Sequence, residues 1–149
     1  MTEKEQTTAA AQTTAARIEE IKNRLRAALV KKYGSLYRAS IKHGRQVMYT
    51  HKFFYRKTLN FNNFLMLCEW ANVSPRYVLN GGRLIRWQGT EKLSFDGLLK
   101  TYEKGKNFDA KIRVLIYNLR SGKACNFNLK TLLTFAELTG SDPADLIGA

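Results

Sequence analysis

FNNFLMLCEWANVSPRYVL (61–79) and LKTLLTFAELTGSDPADLI (129–147) are the two stretches that decide how this chain folds. In the first, Phe61, Phe64, Leu65 and Cys68 recur at the i, i+3, i+4, i+7 spacing of one helix face. In the second, Leu129, Leu132, Leu133 and Ala136 do the same, and Asn60 and Asn128 stand ahead of them as caps. Ser74-Pro75 and Asp142-Pro143 then open two further short helices. There the Ser or Asp oxygen accepts from an orphan backbone N–H, and a proline at the first helical position has no N–H to leave unsatisfied.

The two stretches stand 68 residues apart, and the same shift places Lys32, Arg45, Tyr49, Asn60, Leu65, Glu69 and Pro75 on Lys100, Arg113, Tyr117, Asn128, Leu133, Glu137 and Pro143. Chance helical periodicity rarely reproduces an apolar helix, a cap and a proline in one phase, so the chain is read as a duplication. Working outward, Ile18, Ile21, Leu25, Ala28 and Leu29 predict a helix from Arg17, with Thr13 or Thr14 as its cap and Gly34 as its stop. Residues 35–43 predict a short helix with Leu36, Ala39 and Ile41 inward, broken at Gly44, and residues 46–57 predict a third. In the second half, helices are expected on Phe95, Leu98, Leu99 and Tyr102, and on Ile112, Leu115, Ile116 and Leu119. The fold class is therefore all-α, in two tandem repeats of about four to five short helices. The predicted organisation is a flexible tail at 1–16, a basic repeat at 17–82, a linker at 83–92 and a near-neutral repeat at 93–149.

Charge separates the halves. Of 149 residues, 25 are Lys or Arg and 12 are Asp or Glu, a net charge of +13. Residues 17–90 hold 15 of those cations against 3 acids, whereas residues 91–149 hold 9 against 7. Such a field favours a polyanionic partner and places its binding in the first half. At 44% apolar content the chain has enough for a packed core. The 2 cysteines are too few for a disulfide framework and suit a reducing, cytoplasmic compartment, with Cys68 inward and Cys125 beside a helix start. Neither a signal peptide nor a transmembrane span is expected.

The segment 61–79, with its counterpart 129–147, resembles the last two helices of the phage-repressor and Cro type of helix-turn-helix domain. Upstream, SLYRASIKHGRQVMYTHKFFYRK (35–57) is similar to that family's paired helices with a glycine, here Gly44, in the turn. Either Ala39 or Ser40 would fill the small-residue place at the helix crossing. The resemblance implies a second helix lying in the major groove of duplex DNA. With Val47, Met48, Phe54 and partly His51 turned inward, the side chains expected at base edges are Arg45, Gln46, Tyr49 and Thr50. Those expected on phosphates are Lys42, Lys52, Arg56 and Lys57. In the second copy, EKGKNFDA (103–110) stands where the corresponding helix should be and has almost no apolar face, so that copy is expected to pack or self-associate.

Nothing in the chain points to catalysis. It has no paired carboxylates, no Ser-His-Asp set and no phosphate-cradling loop, and His43 and His51 have no acidic or thiol partner at ligand spacing. The expectation is a transcription regulator near the nucleoid, without cofactor, metal or small-molecule ligand; its oligomeric state is open, a homodimer on a palindromic site being one arrangement that fits. The alternative is a phage- or defence-related interaction module that uses the same helices to grip a nucleic-acid-handling protein.

Overall fold

The computed structural model describes residues 3–90, 93–122 and 126–149, with residues 3–12 described by their backbone only. It is helical, with no strand among the described residues. The helices are α1 (Glu3–Tyr33), α2 (Leu36–Lys42), α3 (His51–Tyr55), α4 (Phe61–Ala71), α5 (Pro75–Asn80), α6 (Asp96–Lys104), α7 (Ala110–Arg120), α8 (Leu129–Thr139) and α9 (Pro143–Leu146). None is long and apolar enough to cross a membrane.

The first helix begins at Glu3, not near Arg17. Residues 3–16 lack Gly and Pro and are rich in Ala, so nothing in them stops a helix extending backwards from the apolar stripe. Ile18, Ile21, Leu25 and Leu29 are fully or almost fully buried along that stripe. The stripe rests on α2, α4 and α5 of its own half and on α8 of the other. Buried side chains from both halves form one cluster. Fully burying each Phe or Leu of it contributes roughly 1.5–3 kcal/mol.

At 60–79 and 128–147 the backbone follows the same course at the 68-residue shift, except that Asn128 caps α8 by accepting from Lys130 N–H while Asn60, expected to cap α4, makes no side-chain bond there, and that α5 has six residues and α9 four. Both α4 and α8 are 11 residues long, and both end on a left-handed residue, Asn72 (φ 56°) and Gly140 (φ 65°). Only Gly, and less readily Asn, takes that conformation without strain. The N–H of Val73 donates to the Cys68 carbonyl at 3.0 Å, and that of Ser141 to the Ala136 carbonyl at 2.9 Å. Ser74 and Asp142 then cap α5 and α9 by accepting from Arg76 and Ala144 N–H.

The two segments also meet each other. The Phe61 N–H donates to the Phe127 carbonyl and the Leu129 N–H to the Leu59 carbonyl, both at 2.8 Å, flanking an antiparallel bridge between Asn60 and Asn128. Exchanging the segments maps each of these bonds onto the other, which is the mark of a local two-fold axis. Rings seal the junction: Phe61 stacks on Phe127 at 4.7 Å, and Phe95 packs against both. Nearby, α5 packs on α9. Arg76 there pairs with Asp142 and Asp145, and the Asn80 amide donates to Asp142. Burial raises the Asp142 carboxyl, but the Asn80 and Ala144 hydrogen bonds and the Arg76 charge outweigh it and hold it below the usual carboxylate range.

Candidate nucleic-acid interface

The basic face is built from α2, the turn that follows it and α3. Ser35 caps α2 by accepting from Arg38 N–H, and Leu36, Ala39 and Ser40 face inward. Ile41, expected inward, is 58% exposed. Gly44 ends the segment at φ 69°, the left-handed region that a helix-terminating turn requires.

Both Ala39 and Ser40 are fully buried, and Ser40 is the residue that joins α2 to the following turn. Its hydroxyl donates to the Leu36 carbonyl at 3.1 Å and accepts from Thr50 N–H at 3.0 Å. The Thr50 hydroxyl donates to the same Leu36 carbonyl at 2.6 Å. Thr50 is fully buried, which removes it from the residues able to touch a base.

The expected helix over 46–57 is not continuous. Residues 45–46 are irregular, 47–50 form a turn with a Tyr49 N–H to Gln46 carbonyl bond, and only His51–Tyr55 is helical. The facing also differs: Phe53 and Phe54 are buried, while Val47 and Met48 are 45% and 50% exposed. The physical reason is area. Two Phe rings remove more apolar surface from water than Val and Met, and the turn frees Val47 from the face that Thr50 and Phe54 share. The C-terminal end of α3 is tied to α1 by the buried Lys22, whose ammonium donates to the Arg56 carbonyl. Burial lowers the Lys22 pKa, against the pull of Glu19.

Tyr49 is half-buried and serves as a platform. The Arg45 guanidinium lies 4.8 Å and the Lys52 ammonium 4.2 Å from its ring centroid, contacts that favour cations over an aromatic face. Beneath it lies an aromatic cluster that the sequence alone does not announce. His43 stacks on Trp70 at 3.9 Å, and its Nε2 lies 2.8 Å from the Tyr33 hydroxyl. That hydroxyl in turn donates to the Trp70 carbonyl, so His43 must be the donor at Nε2. Burial, then the Lys32 charge, lowers the His43 pKa, which suits a neutral imidazole. His51 packs against the Tyr37 ring at 4.3 Å.

Of the eight residues expected at nucleic acid, Arg45, Gln46, Lys42, Arg56 and Lys57 are exposed, Tyr49 and Lys52 are half-buried and in mutual contact, and Thr50 is interior. Among the described residues the ion pairs are Arg76 with Asp142 and Asp145, and Arg120 with Glu103. None involves a cation between residues 17 and 57. Cys68 is buried, which raises its thiol pKa well above the ordinary value and leaves it inert, while Cys125 lies outside the described residues. Compared with protein-family profiles, curated proteins and solved structures, the chain matches none.

Proposed function

We propose that this chain binds duplex DNA through the face formed by α2, the 43–50 turn and α3, as a regulator built from two tandem repressor-like repeats. The observation that carries it is the set of exposed cations at Lys42, Arg45, Arg56 and Lys57, none of which pairs with a carboxylate among the described residues. Uncompensated positive charge on one face attracts phosphate and is relieved by it. Arg45 and Gln46, irregular and exposed ahead of α3, are the two side chains suited to base edges: Arg to guanine, Gln to adenine. Tyr49 orients Arg45 and Lys52 by ring contact and does not itself read a base. The matched lengths and left-handed ends of α4 and α8, and the Ser74 and Asp142 caps that follow them, support the duplication.

A second reading, a protein-interaction module, is favoured by the exposed apolar side chains of the same three elements, α2, the turn and α3: Tyr37, Ile41, Val47, Met48 and Tyr55. Titration of a labelled duplex at a series of salt concentrations separates the two. With about six phosphates neutralised, the log–log salt slope is near −5. A flat slope, or no duplex binding at low salt, favours the protein partner.

A further inference from the structure

The near-neutral charge of the second half hides a cationic surface. In α7, Ile112, Leu115 and Ile116 are buried, and the helix packs on α8. The opposite side carries Arg113, Tyr117 and Arg120 at i, i+4, i+7, with Val114 beside them and Lys111, two residues before Arg113, at the other edge of the exposed arc, toward α8. This side is open: Val114 is 58% and Tyr117 64% exposed. Residues 100–121 hold six cations (Lys100, Lys104, Lys106, Lys111, Arg113, Arg120) against two acids, Glu103 and Asp109. Both acids are engaged locally. Asp109 caps α7 by accepting from Ile112 N–H, and Glu103 pairs with Arg120 at 3.6 Å. The acids that balance the charge of this half include Asp142 and Asp145, which Arg76 holds in the α5–α9 contact.

Arg113 and Tyr117 also follow Arg45 and Tyr49 by the same 68 residues that relate the bridged Asn60 and Asn128. Each basic segment therefore leads into the two-fold junction over the same length of chain.

We propose that the exposed face of α7 is a second duplex-contacting surface, with Lys111 and Arg113 taking phosphates beyond those held by Lys42, Arg56 and Lys57. One chain then covers a stretch of DNA that two copies would otherwise share. The proposal rests on the duplex-binding function above, and Arg45 and Lys57 remain the residues that test that function separately.

The experiment compares the full-length chain with Lys111→Ala/Arg113→Ala, two exposed positions of a helix that alanine supports. Binding is measured against duplexes of about one and about two helical turns, roughly 10 and 21 base pairs, across a salt series. The wild type is expected to bind the longer duplex more tightly, and the double variant to lose that preference. Its salt slope should be shallower by about 1.8, the share of two phosphates. An unchanged slope and length preference, with Lys57→Ala still reducing the slope, overturns the α7 proposal alone. If the wild type binds neither duplex, both functions fall. If Val114→Asp abolishes a dimer seen by sedimentation while the double variant leaves DNA binding unchanged, the face is a self-association surface and the proposal is wrong.

Discussion

Residues 60–79 and 128–147 share an 11-residue helix, the left-handed residue that ends it and the capped helix start after it at a 68-residue shift, whereas residues 36–57 and 104–122 share almost none of these. The first pair meets across the Asn60–Asn128 bridge and the α5–α9 contact. The second pair faces solvent over much of its surface. Where the halves touch, each geometry is the other's packing partner, and a change on one side leaves a void or an unpaired polar group on both. Where they do not touch, one half builds two short helices around a Ser40–Thr50 link and the other a single 11-residue helix. The contrast separates a shared scaffold from two surfaces free to differ in charge and shape.

The scaffold side of this comparison should respond alike to equivalent cuts. Phe64→Ala and Leu132→Ala, both at fully buried sites 68 residues apart, should cost about 3–5 and about 2–5 kcal/mol by urea unfolding. A large loss at one site with none at the other would mean that the halves do not share a core. On the surface side, Thr50→Ala removes the hydroxyl that donates to the Leu36 carbonyl and should cost about 1–3 kcal/mol, a loss with no counterpart in α7.

Arg45→Ala should reduce discrimination among duplex sequences by about 1–3 kcal/mol, while Lys57→Ala weakens all sequences alike and reduces the salt slope by about 0.9. The smallest effect concerns pH. The unfolded chain's His43 takes up a proton near the ordinary value of 6.5, and the folded one resists it. Protons therefore bind the unfolded state preferentially as pH falls through that value, and stability declines until the folded imidazole also titrates. His43→Phe, which keeps a ring on Trp70, should flatten that part of a pH–stability profile.

Much of the scaffold was legible because its signals are local. Ser74, Asn128 and Asp142 cap as their positions suggest, whereas Asn60 stands ahead of α4 without a side-chain bond to it. The start of α1 was not legible, because the Thr/Ala stretch lacks the apolar period that marks a helix yet contains nothing that breaks one. The candidate site was half legible. Its cations could be counted, but which side faces in depended on a contest between Val47-Met48 and Phe53-Phe54 that only tertiary packing resolves. The His43–Trp70 stack and the Tyr33 hydroxyl join three elements far apart in the chain and leave no linear pattern. Asp109, the cap of α7, did leave one, an Asp three residues before Ile112, which the apolar spacing alone passes over.

Selection of bound duplexes from a random pool, run at two salt concentrations with the wild type and Arg45→Ala, tests the DNA-binding claim most directly. The account predicts a sequence motif enriched by the wild type, weaker retention at the higher salt and a blurred motif for the variant. Retention of no duplex at the lower salt, or an identical motif from both proteins, would contradict it.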